Sequence, residues 1–370
     1  MTVPAGLSAR VRDLPAPRVD GIDAARGLAL IGMFVAHVAP VAATPEAAEL
    51  IAIADERPRL LFALTAGFGL GFLTGGVRPV VEGRGVLRRQ LAVRAVILIA
   101  LGLIIAATLR PLVFIILDVY GVAFLVMLPL LFRPARAALA IGAGLLAVTP
   151  GLATAVQYSA DVMSAREDGP RLLYDWMLTG AYPVIVWVPV MLIGLGLARL
   201  GAADPRVVPR YALTGAVTAA VMLPLTRLLP AEADATASPA EHAVSASALA
   251  LGNVGVGLVV VAATVTITAL ARPAVRRVAG AVLSPVTAMG AMPLTIYTLH
   301  LVVISGAKRV EGGFMTDDSW ALTIGLIVGS MAFAWLWQRF LGRGPLERLL
   351  RAASGRGRVR PTAQVDGPTR

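Results

Sequence analysis

The sequence predicts an all-α protein, a polytopic membrane bundle of about ten transmembrane helices with both ends on the cytoplasmic side. Three observations predict it. Of the 370 residues, 57% are hydrophobic and 15% charged, with a mean hydropathy of +0.78; a soluble domain carries roughly 25% charged residues. Apolar runs long enough for a bilayer core, which takes roughly 20 helical residues, recur along the chain. The charges between the runs alternate in sign, as they do when Lys and Arg accumulate on the cytoplasmic side.

In chain order, spans are expected near 21–41, 58–76, 91–108, 113–132, 138–156, 181–198, 211–229, 245–271, 283–306 and 320–338. The first follows a polar, Pro-containing stretch and leads straight into further spans, so it reads as a retained signal-anchor. The fourth is interrupted by Asp118 and Pro129 and is the least regular. On one side lie 1–20, 77–90, 133–137, 199–210, 272–282 and 339–370, with 23 Lys/Arg and 6 Asp/Glu. The segments between them, on the other side, hold 7 Lys/Arg and 14 Asp/Glu. A miscounted span would scramble this alternation beyond the error, and the alternation holds to the end. The expected organisation is a cytoplasmic segment 1–20, a transmembrane domain 21–341 and a basic cytoplasmic tail 342–370, disordered from about Ala353.

The net charge of +11 therefore reports topology, and no nucleic-acid partner is expected. The chain is expected in the cell (inner or plasma) membrane, with lipids around it. Small residues such as Gly67, Gly69 and Gly71 allow close helix packing, within one chain or in a homo-oligomer. The long outer segments 157–180 and 230–244 lack strand patterning. With no cysteine, disulfide and thiolate chemistry are excluded. Three histidines, His37, His242 and His300, are too few for a His-rich metal centre, so no metal is expected.

Ionisable groups at membrane depth cost at least a few kcal/mol and mark a cavity or a pathway. They are Asp23, Arg26, Arg59, Arg94 and Asp118, joined by His37 and His300. Asp23 and Arg26 share one helical face. They can pair with each other at the interface, or Arg26 can face a cytoplasmic opening and take an anion such as a phosphate. Arg59 and Arg94 read as snorkelling residues. His37 follows Arg26 by eleven positions, about 16 Å of helix. Measured from the cytoplasmic starts of their spans, His37 and His300 lie at matching depths of about 24 and 25 Å. Two imidazoles at one depth can meet in one cavity, and imidazole is the natural general base near neutral pH. Asp118 could orient a histidine or pair with Arg110. His242 lies in an outer loop whose role is open.

Arg18-Val-Asp-Gly-Ile-Asp-Ala-Ala-Arg26-Gly-Leu-Ala-Leu-Ile-Gly-Met-Phe-Val-Ala-His37 resembles the opening of the transmembrane acyltransferase superfamily. That group includes heparan-α-glucosaminide N-acetyltransferase-like, YeiB-like and acyltransferase type 3 proteins. An Arg and a His separated by ten residues is the type 3 signature, and Leu61-Phe-Ala-Leu-Thr-Ala-Gly67-Phe-Gly69 resembles the motif that follows it. Leu178-Thr-Gly-Ala-Tyr-Pro183, Pro293-Leu-Thr-Ile-Tyr-Thr-Leu-His300 and Gly344-Pro-Leu-Glu347-Arg-Leu-Leu resemble the YeiB-like and heparan-acetyltransferase-like group. The matches run in order from about residue 18 to 350.

The resemblance implies transfer of an acyl group, typically acetyl, from cytoplasmic acyl-CoA to a hydroxyl or amine of a sugar, envelope glycan or lipid-linked acceptor. On that expectation His37 is the catalytic base or a transiently acylated group, with His300 its partner and Asp118 an orienting carboxylate. Arg26, Asp23, Arg88 and Arg89 would serve the CoA donor, and Tyr182, Thr295 and Tyr297 the acceptor. A competing expectation is a permease for an amphipathic or anionic metabolite with His37 and His300 as a proton relay. A scaffold whose histidines only bond helices together is a third.

Overall fold

The computed structural model describes residues 19–355 apart from 43, 55, 231–233 and 235. The segment 1–18 and the tail beyond 355 lie outside the described residues. The protein is an all-α membrane bundle. Its long helices are α1 (Asp20–Val38), α3 (Arg57–Leu73), α4 (Arg84–Thr108), α6 (Ala135–Gln157), α9 (Val184–Leu200), α10 (Val208–Thr226), α11 (Pro239–Val265), α12 (Pro273–Ala291) and α14 (Trp320–Leu341). Shorter helices are α2 (Pro45–Ala52), α5 (Leu117–Met127), α7 (Ala160–Asp168), α8 (Arg171–Tyr174), α13 (Pro293–Gly306) and α15 (Pro345–Ala353). An antiparallel hairpin of β1 (Arg309–Glu311) and β2 (Phe314–Thr316) follows α13, where no strand is expected from the pattern.

Among the described residues, six helices are each long and apolar enough to cross a membrane: α1, α4, α6, α10, α14 and α11 with its π-helical end Thr266–Leu270. Two bent pairs bring the number to eight, α8 and the π turn Asp175–Thr179 with α9 (47°) and α12 with α13 (81°). The second expected span is the 17-residue α3, and the fourth is an 11-residue helix, α5.

The ninth run, expected as a continuous helix over 283–306, is two helices with a bend at Met292. Residues preceding proline avoid the α region, and Met292 sits at φ −131°, ψ 54° ahead of Pro293. The same rule ends α1, where Ala39 turns extended ahead of Pro40.

The bundle is built around α3 and α9, whose residues are mostly buried. Their backbones touch where glycines leave room. A Cβ on Gly67 would strike Met191 O, and one on Gly194 would strike Leu64 O. A β-carbon on Gly71 would meet the Ala198 side chain. This small-residue stripe is thus consumed within one chain. Gly27 and Gly290 bring α1 equally close to α12, which sets α13 beside the upper part of α1.

Candidate active site

His37 lies at the end of α1, one residue before Val38. Val38 O accepts from Ser319 N–H (2.8 Å) and from the Thr323 hydroxyl (3.1 Å), which fixes that end against α14. His300 lies in α13 and is fully buried, whereas His37 is half-buried. The two rings face each other with His37 Nδ1 3.1 Å from His300 Nε2. Phe34 and Tyr297 pack on the His300 ring, with centroids 4.9 and 4.7 Å away.

The tautomers follow from one carbonyl. His300 Nδ1 lies 2.5 Å from Tyr297 O, and a carbonyl only accepts. His300 Nδ1 therefore carries the proton, and its Nε2 presents a lone pair. His37 Nδ1 must then donate to that lone pair, so neutral His37 has its own lone pair on Nε2. The chain of bonds orients one basic nitrogen on the less buried ring.

Arg26 sits about 16 Å below His37 along α1. Its guanidinium donates to Asp23 Oδ1 (2.9 Å), Gly290 O (3.0 Å) and Thr65 O (2.9 Å), tying α1 to α3 and α12. Gly290 O marks where α12 ends, so α13 starts beside Arg26 and rises parallel to α1. Thr295 is buried at this end of α13. Its hydroxyl and the Leu294 and Thr295 N–H groups donate to the Glu347 carboxylate (2.5, 2.8 and 3.1 Å), an anion satisfying a helix N-terminus. Arg88 and Arg89 are exposed at the start of α4; Arg88 Nε donates to Leu128 O (3.1 Å), and its guanidinium lies over Phe132.

Asp118 is not beside the histidines. Its Oδ2 accepts from Trp176 Nε1 (2.8 Å), its Oδ1 is buried without a partner, and no ion pair with Arg110 forms among the described residues. Asp118 and Tyr182 line a cavity of about 640 Å³. A second cavity, of about 630 Å³, adjoins it and shares Phe114, Thr179, Gly180 and Ala181. Both open at the end of the bundle where α1 finishes. Tyr297 links the imidazole pair to this region, because its ring touches His300 and its hydroxyl accepts from Ile116 N–H (3.1 Å).

The structure thus brings together His37, His300 and Tyr297, groups Asp23 with Arg26, and sets Asp118 near Tyr182 elsewhere. Arg59, expected to snorkel, donates to Glu56 and to Ala181 O (3.2 Å). Arg199, counted among loop charges, is buried, and it donates to Gly76 O (2.7 Å), Leu131 O (2.8 Å) and the Thr74 hydroxyl (2.6 Å). Trp176 and Glu347 carry interactions that short-range pattern does not reveal.

A many-helix membrane protein with an oriented imidazole pair is the class these observations define. A family model described as heparan-alpha-glucosaminide N-acetyltransferase, catalytic, matches residues 18–228, more than half of the chain. The chain belongs to this family, and at that level it is a multi-pass membrane enzyme of the acetyltransferase type. A model described as a protein of unknown function (DUF418) matches residues 197–356. Comparison with curated proteins gave no match.

Proposed function

We propose that the protein transfers an acetyl group from cytoplasmic acyl-CoA to a hydroxyl or amine of a sugar, envelope glycan or lipid-linked acceptor. The observation that carries the proposal is the bonded series Tyr297 O, His300, His37, which leaves a lone pair on His37 Nε2. In the proposed step, Nε2 takes the proton of the acceptor O–H or N–H as the acceptor attacks the thioester carbonyl. The C–S bond breaks, and the His37 imidazolium returns that proton to the departing thiolate, leaving free CoA. His300 holds the His37 tautomer and shares the transient positive charge.

Arg88 and Arg89 would draw the donor's phosphates to the mouth of α4. Arg26 and Asp23 would keep α1 in register beneath the histidines. The proposal includes ten crossings of the cell (inner or plasma) membrane with both ends inside, so that donor and acceptor approach from opposite sides. It keeps the division into 1–20, 21–341 and 342–370.

The test is CoA release from acetyl-CoA by protein in nanodiscs, with and without envelope glycans. Release by the natural protein, lost in His37→Ala, supports the proposal. No release and no acetyl group on well-folded protein would reject it.

A further inference from the structure

The motif Gly344-Pro-Leu-Glu347 has no part in the proposed transfer, yet it touches the helix that carries His300. Pro345 opens α15 and Glu347 follows two residues later, where a capping box would turn the carboxylate back onto its own helix start. It does not turn back. Gly344, the N-cap of α15, has no side chain to bond with, and the carboxylate serves the start of α13 instead.

The need at α13 is specific. The chain turns by 81° between α12 and α13, so α13 does not inherit its position through a continuous helix. Its first residue, Pro293, has no N–H, and Ile296 N–H reaches Met292 O (3.1 Å). That leaves Leu294 and Thr295 as the orphan donors of the first turn. Glu347 Oε1 accepts from both, at 2.8 and 3.1 Å. Its Oε2 accepts from the Thr295 hydroxyl at 2.5 Å, and the same hydroxyl accepts from Leu346 N–H at 3.1 Å. The approach requires glycine, because a Cβ on Gly344 would strike the Glu347 carboxylate and the Thr295 hydroxyl. Among the described residues Glu347 enters no ion pair, so the carboxylate is committed to α13. At the other end of α15, Arg94 Nε of α4 donates to the buried Ser354 Oγ (3.2 Å). The helix is thus a strap from α4 to the foot of α13.

His300 stands five residues beyond Thr295, about 7.5 Å along the helix, and meets His37 through one bond of 3.1 Å. A slip of α13 by a single residue's rise, about 1.5 Å, would break that bond. We propose that Glu347 is a positioning residue, whose carboxylate holds α13 at the height where His300 Nε2 accepts from His37 Nδ1. Thr295, His300 and Glu347 all lie beyond the acetyltransferase-type match and inside the match of unknown function. That part of the chain then has a task, to complete and align the site that His37 begins. The effect of Glu347 on transfer rests on the function proposed above; its effect on the bond between the rings does not.

Two measurements on the full chain test this. With isotope-labelled histidines, the scalar coupling between His37 Nδ1 and His300 Nε2 in the NMR spectrum reports their bond with no acyl donor present. It should be seen in the natural protein and in Glu347→Gln, whose amide oxygen can take both N–H groups, and be lost in Glu347→Ala. In steady-state CoA release, Glu347→Ala should lower kcat about tenfold to a hundredfold, the scale of a misplacement of about 1 Å, with KM for acetyl-CoA unchanged. Glu347→Gln should recover most of that rate. In a His300→Leu background, Glu347→Ala should change the rate by less than about twofold, since a residue acting through His300 has nothing left to position. Should Glu347→Ala fail to fold, Thr295→Val replaces it. That variant keeps both N–H bonds and loses the hydroxyl, so a weakened coupling and a smaller fall in kcat are expected. The proposal is overturned if the coupling is unchanged in the variant tested, or if the effects of the Glu347 and His300 substitutions multiply. If the natural protein releases no CoA, the proposed function falls, and the coupling alone decides the positioning.

Discussion

One backbone carbonyl decides the chemistry of the imidazole pair. Because Tyr297 O can only accept, the protons are distributed so that His37 Nε2 is the basic atom. Removal of that base by His37→Ala should cost about 10²–10⁴-fold in kcat, read as CoA release. His300 should matter through the bond it accepts. His300→Gln offers an amide oxygen to His37 Nδ1–H and should retain more activity than His300→Leu, with the steady-state rates of the two as the check. Activity of the natural protein should fall as pH drops, since protonated Nε2 accepts nothing. The meeting of the two rings was legible in the sequence from helical rise, but for an incomplete reason. α13 begins at Pro293, so His300 is not deep in one long helix. Its height matches His37 because α12 ends where Arg26 binds Gly290 O, a tertiary contact that no count of residues contains. The partner of Asp118 was equally hidden, since nothing local links it to Trp176.

At the level of helices and loops, the apolar runs that are long enough by themselves were the legible ones. Hydropathy counts apolar residues without recording direction, so it could not separate α12 from α13. It also could not show that the end of α9 turns Arg199 inward onto the carbonyl ends of α3 and the stretch after α5. Arg199→Leu strands those carbonyls, each bond to the charged group being worth about 1.5–3 kcal/mol. A clear drop in thermal stability in detergent is expected, partly restored in Arg199→Lys, which supplies fewer donors. The loop entering α14 carries a different strain. Asp317 is 3% exposed, its Oδ2 has no hydrogen-bond partner among the described residues, and burial, reinforced by Asp318, raises its carboxyl above the usual range against the pull of Lys308 and Arg309. A carboxyl that ionises later in the folded state destabilises the fold once pH rises past its unfolded value. Asp317→Asn should therefore raise the melting temperature at pH 7.5, and the gain should vanish in acid, where both states are protonated.

For the molecule as a whole, charge asymmetry and helix geometry bear on the same question, the number of crossings. Ten crossings require α3 and the short α5 to traverse the bilayer, and the α12–α13 pair to cross only once despite its 81° bend. If α12 and α13 each crossed, everything after Gly306 would change sides, and the basic stretch from Arg339 would face outward against the positive-inside rule. The natural chain has no cysteine, so single cysteines can report each loop against a silent background. Asp204→Cys, Ala274→Cys and Arg343→Cys should resist a membrane-impermeant maleimide applied to right-side-out vesicles. Ser164→Cys and Gly312→Cys should react. Labelling of position 343 from outside would reject the ten-span arrangement and, with it, the approach of donor and acceptor from opposite faces. Protection of 204, 274 and 343 together with reaction at 164 and 312 would put the arginine-rich loops, and the mouth of α4, on the side where acyl-CoA is made. The imidazole pair and the two cavities would then lie toward the opposite face, as transfer across the bilayer requires.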